Sequence, residues 1–163
     1  MKLKPLLTLV VTVLSLNLPA QKNENSEKDL DNHEHHKNEI GIANSSVYFL
    51  KEKVFAYGLH IHYVRNIPNS NFGLGIGYER VFDEHKHNTF GIVARYRPIE
   101  KLNLSLSPGL AFEDRNSKPN FALHAETSYE FEIKNIHIGP AFEFAYEPED
   151  FHISLGIHLG YGF

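Results

Sequence analysis

Eleven histidines and no cysteine among 163 residues place any chemistry of this chain on imidazole and carboxylate rather than on thiol. Three histidines crowd a polar N-terminal stretch, His33-Glu-His35-His36. Two more lie in Asp83-Glu-His85-Lys-His87. The remaining six, His60, His62, His124, His137, His152 and His158, sit among Glu79, Glu126, Glu130 and Glu143, with Arg95 and Arg97 near them in type and phase. Neutral imidazole together with carboxylate suits zinc, copper or nickel. The metal reading therefore takes in His33, His35, His36, His60, His62, His124, His137, His152 and His158. No ligand spacing among them is diagnostic, and His-rich tracts also bind metal loosely. Glu143, His152 and Ser154 offer a second chemistry, with Ser as nucleophile, His as base and Glu as orienter.

What must position these groups is a set of strands. In Phe151-His-Ile-Ser-Leu-Gly-Ile-His-Leu-Gly-Tyr-Gly-Phe163 every odd residue is apolar, and every even one is polar or glycine. A period of two without error is a strand with one greasy face. The same pattern recurs from residue 39. It predicts strands at Glu39–Leu50, Val54–Arg65, Phe72–Val81, Thr89–Arg97, Leu102–Phe112, Asn120–Ile133, Asn135–Tyr146 and Phe151–Phe163. All six of those histidines, with the four glutamates and two arginines, fall on the polar face. Each run is near the ~9–11 residues that a tilted strand needs to cross hydrocarbon. Aromatic residues mark strand ends and aliphatic ones strand centres: Phe121 and Phe131 bracket Leu123 and Ala125, and Phe151 and Phe163 bracket Ile153 to Leu159. Two aromatic girdles around an aliphatic band are what a bilayer selects. A soluble barrel would turn this face inward and leave glycine-rich strands in water.

The N-terminus reads as a secretory signal peptide over residues 1–20: Lys2 and Lys4, an apolar run from Leu6 to Leu18, then Ala20. Residues 21–38 hold no aromatic or β-branched side chain, which is the composition of a disordered tail. The formal net charge of −4 comes without a basic patch, so nucleic acid is excluded as a partner. Pro108 and Pro140 fall in mid-strand beside Gly109 and Gly139, where β-bulges or a local bend are expected.

Over residues 39–163 the chain resembles small eight-stranded outer-membrane barrels, the OmpA- and OmpX-like class of Gram-negative bacteria. The resemblance rests on strand count, alternation, girdles and the terminal Phe163. It implies an all-β fold, an eight-stranded antiparallel up-and-down transmembrane β-barrel. It further implies an outer-membrane location with the tail 21–38 periplasmic, and a monomer. Its partners would be lipid and lipopolysaccharide, together with the barrel-assembly machinery that receives the last strand. The predicted outer loops, at 51–53, 83–88, 113–119 and 147–150, are short, which weighs against adhesion.

An eight-stranded lumen is just wide enough to be filled by side chains. The expected function is therefore a plugged barrel with a structural or accessory envelope role, without catalysis and without a cofactor. Divalent-metal binding is the alternative. A lipid A-modifying enzyme is the third reading, since some barrels of this class are deacylases with a Ser-His-Glu triad on the lipid side. Here Ser154 and His152 share the inward face, which argues against it. Leu155→Arg or Ile157→Arg is expected to cost ~2–4 kcal/mol at the bilayer midplane, and Gly156→Ser to be mild.

Overall fold

The computed structural model describes residues 36–84, 86–114, 118–148 and 150–163. The proposed signal peptide, most of the tail, and His33, His35 and His85 lie outside the described residues. Nine strand segments follow one another: β1 Asn38–Phe49, β2 Val54–Asn66, β3 Phe72–Phe82, β4 Asn88–Ile99, β5 Leu102–Phe112, β6 Asn120–Tyr129, β7 Phe131–Ile133, β8 Ile136–Tyr146 and β9 Phe151–Gly162. From β1 to β6 each pairs antiparallel with the next, β6 and β7 both pair with β8, and β8 pairs with β9, which returns to β1, so the sheet closes. The seam is fastened by reciprocal backbone bonds of 2.9 Å between Asn38 and Phe163.

Segments β6 and β7 are one stave interrupted at Glu130, since both pair with β8 in the same register. The barrel is therefore the expected eight-stranded, up-and-down one. Register fixes its shape. Followed once round the ladder, Asn38 connects through Arg65, Leu74, Ala94, Leu106, Ala125, Phe144 and Ile153 to Tyr48, ten residues up the strand it started from. With a rise of ~3.3 Å per residue and strands ~4.8 Å apart, that stagger tilts the strands by about 40°.

The barrel is inside out relative to a soluble protein. Ile76, Ile92 and Leu155 are 65%, 63% and 65% exposed, while Arg95, His152 and His158 are 3%, 2% and 1% exposed. Buried apolar side chains are mostly small: Ala43, Val47, Val64, Val81, Val93 and Ala122. Rings pair along both rims. Tyr57–Phe82 and Tyr146–Phe151 pack at 5.7 and 5.2 Å near the end away from Asn38 and Phe163, and Phe72–Tyr96 and Tyr129–Phe131 at 4.8 and 5.5 Å near the end that carries those two residues.

Two expectations need correction. Neither mid-strand proline makes a bulge. The β4–β5 ladder skips the pairs opposite Ser107 and Pro108 and resumes in the same register. The ladder from β6–β7 to β8 likewise skips Gly139–Pro140 without a slip. Each proline stays in register on its other side, opposite Leu123 and Ile157 respectively. Losing one N–H thus opens one side of the ladder only. The register shift occurs instead between Tyr96 and Ile99, around Pro98. Second, Gly156→Ser is not mild, because a Cβ at Gly156 would fall on the Asn44 carbonyl and within 2.8 Å of the Ser45 Cβ. Backbone, unlike a flexible side chain, cannot step aside.

Candidate functional site

The period of two delivers the polar residues to one compartment. His60 and His62 on β2, Arg95 and Arg97 on β4, His124, Glu126 and Ser128 on β6, and His152, Ser154 and His158 on β9 all point into the lumen beside Glu39, Glu79 and Glu143. The shear then sorts them into tiers.

The tier nearest the strand termini centres on Glu39. Its Oε1 is 2.7 Å from Arg95 Nη2, and its Oε2 is 3.3 Å from Arg97 Nη2. Arg97 Nε donates to Asn103 Oδ1 at 2.8 Å, and Arg95 Nη2 lies 3.0 Å from His62 Nε2. His62 stacks on His158 with centroids 5.1 Å apart, and His158 Nδ1 reaches Glu130 Oε1 at 2.8 Å. Ser128 Oγ donates to the same Glu130 oxygen at 2.6 Å. Two guanidiniums meet two carboxylates here, so their formal charges cancel within the tier. A buried charge left unpaired would be expensive.

The middle tier has no such balance. His60 Nδ1 is 3.3 Å from Glu126 Oε2. His124 Nδ1 is 2.9 Å from Glu79 Oε2 and 3.3 Å from Glu143 Oε2. His152 Nε2 is 3.9 Å from Glu143 Oε1. Among the described residues the buried cationic side chains are Arg95 and Arg97, both committed to Glu39. Glu79, Glu126 and Glu143 therefore have only imidazoles to answer their charge. A void in this tier, touching His60, Glu79, Glu126, Glu143 and Ser154, is about 20 Å³, room for roughly one water.

A third cluster lies at the mouth away from Asn38 and Phe163, where His87 Nδ1 is 2.7 Å from Asp83 Oδ2 and His87 Nε2 is 3.5 Å from Glu113 Oε1. Burial lifts the Glu147 carboxyl to about 6, against the opposing pull of His87.

Of the nine histidines named from the sequence, the seven that the structure describes fall in more than one place. His36 lies at the opposite mouth, its ring edge-on to buried His137 at 6.4 Å. His62 and His158 surround a carboxylate already held by two arginines. His124 and His152 converge as a pair on Glu79 and Glu143, two carboxylates with no arginine on them, while His60 alone meets Glu126 and Glu143. Glu39 and the mouth residues Asp83, Glu113 and Glu147 were missed as site residues. Glu39 is the first residue of a weakly alternating strand, and the mouth residues lie in turns where no period marks the face. The Ser-His-Glu arrangement is not assembled as a catalytic triad: Ser154 and His152 are buried in the lumen, and Ser154 Oγ has no hydrogen-bond partner.

Closed sheet, apolar exterior and ion-paired interior define a class, the eight-stranded transmembrane β-barrel. The chain is similar to Neisserial surface protein A, with a TM-score of 0.57 and 13% identity over 77% of this chain and 96% of that one. It is also similar to a de novo designed transmembrane β-barrel, with a TM-score of 0.54 and 12% identity over 75% and 94%. Ail of Yersinia pestis aligns with a TM-score of 0.49 and 17% identity over 77% and 96%. No protein-family model matches the sequence, and no curated protein does. At these identities the likeness is one of fold.

Proposed function

We propose that this protein is an outer-membrane barrel with a solid polar plug, serving a structural or accessory role in the envelope of a Gram-negative cell. The observation that carries this reading is the lumen itself. Buried Glu39, Arg95, Arg97, Asn103, His62 and His158 cross it at one level, and Glu79, His124, Glu143 and His152 cross it at another. Side chains packed across the lumen at two levels support a plug rather than a channel. The aliphatic belt between two aromatic rims supports insertion in a bilayer. Both strand termini lie at one end, and by the resemblance that end faces the periplasm with the tail. Lipid and lipopolysaccharide are then the partners of the outer surface, and the assembly machinery meets β9.

The test pairs two measurements on the mature chain refolded in detergent. Cold and boiled samples should migrate differently in SDS, as a closed barrel resists the detergent. The same preparation in planar bilayers should show no stepwise conductance. Regular single-channel steps from a heat-modifiable preparation would overturn the plug.

A further inference from the structure

We propose that Glu79, His124, Glu143 and His152 form a site for one divalent transition-metal ion in the loop-proximal half of the lumen. The four side chains come from β3, β6, β8 and β9, and one donor atom from each lies within 4.8 Å of the other three. All four residues are at least nine-tenths buried. His152 Nε2 and His124 Nε2 have no hydrogen-bond partner, and His152 Nε2 faces the Glu143 carboxylate at 3.9 Å. A buried ring nitrogen without a partner forfeits a hydrogen bond it would make in water.

Charge points the same way. Two carboxylates and two neutral imidazoles cancel one divalent cation, whereas without it Glu79 and Glu143 face only histidines. The donor set, two nitrogens and two oxygens, is of the kind that zinc and its first-row neighbours accept. Metal–donor bonds of ~2.0–2.2 Å place tetrahedral donors ~3.4 Å apart, so atoms within 4.8 Å of one another must draw together by ~1.4 Å at most. The competing clusters serve less well. Glu39, His62 and His158 already hold two guanidiniums, which repel a cation. His60 and Glu126 offer a third grouping only by sharing Glu143. The mouth cluster of His87, Glu113 and Glu147 stands directly above, linked by the Phe49 ring, which packs on both His87 and His152 at 5.4 and 5.2 Å. An ion arriving from the loop side would meet acidic groups first.

The site goes beyond the plug reading and can fail without it, because the plug is tested by conductance and the site by stoichiometric metal binding. The probe is Co²⁺, titrated into the full mature chain refolded in detergent. His33, His35 and His36 are changed to Gln throughout, so that the tail contributes nothing. We expect one Co²⁺ per chain, with the intense visible absorption of four-coordinate cobalt, displaced by Zn²⁺. His124→Gln and His152→Gln should each weaken binding by about 100-fold or more, beyond the 10–100-fold typical of a lost outer-shell partner. His87→Gln should leave the spectrum in place. Glu79→Gln, equal in volume, replaces either histidine variant that gives no heat-modifiable band. No saturable cobalt binding by a folded barrel would overturn the proposal. So would binding untouched by the lumen variants, or binding abolished by His87→Gln alone.

Discussion

Removing the charge of Glu39 is the most direct test of a dry, ion-paired lumen. Its two oxygens are shared between Arg95 at 2.7 Å and Arg97 at 3.3 Å, and Glu39, Arg95 and Arg97 are 1%, 3% and 8% exposed. Glu39→Gln keeps the volume and one acceptor oxygen but leaves two guanidiniums facing a neutral amide. At an effective dielectric of ~20, each pair at about 4 Å or less is worth ~4 kcal/mol or more of attraction, offset in part because the carboxylate no longer has to be desolvated. Breaking a buried pair from one side typically costs ~3–5 kcal/mol, and that is the loss expected here. The assay is urea unfolding of the refolded barrel in lipid vesicles, read as the fraction of heat-modifiable band, with the midpoint shifting at constant slope. Arg95→Met added to Glu39→Gln should recover part of the loss, since a lone buried cation is then removed. A loss below ~1 kcal/mol would refute the reasoning and mean that water, not Glu39, solvates the guanidiniums.

Leu155→Arg and Ile157→Arg, on the exposed face at mid-strand, should each cost ~2–4 kcal/mol in the same assay. Gly156→Ser should lower stability by a comparable amount, through its clash with the Asn44 backbone, and a stable Gly156→Ser barrel would mean that β1 and β9 are spaced more widely. Glu147 adds a pH dependence. Its folded value of about 6 lies above the ordinary 4.5, so the native state holds the proton more tightly, and its contribution is fully present below pH 4.5 and is lost as pH rises through 6. Glu147→Gln should therefore flatten the stability profile between pH 4.5 and 6 and stabilise the barrel by up to ~2 kcal/mol at pH 7. Identical profiles for the two proteins would remove Glu147 as the cause.

Strands, faces and girdles were legible because each is written in local order. Alternation along β9 needs no partner to be read, and neither does the aromatic–aliphatic–aromatic run of an outward face. The break at Glu130 was not legible. It arises across the ladder from Gly139 and Pro140, where a close approach to the Tyr129 carbonyl leaves no room for a side chain. Pro108 and Pro140 were placed correctly as interruptions, but their effect on one ladder alone depends on which neighbour the missing N–H faced.

The sequence by itself determined that these histidines, glutamates and arginines share one interior, because a residue's face follows from its parity within the strand. Which of them meet was decided only by the tertiary structure. Parity says nothing of height, and height depends on the ten-residue stagger accumulated over eight pairings. That stagger sets Arg95 and Arg97 on Glu39 while it leaves Glu79 and Glu143 to His124 and His152.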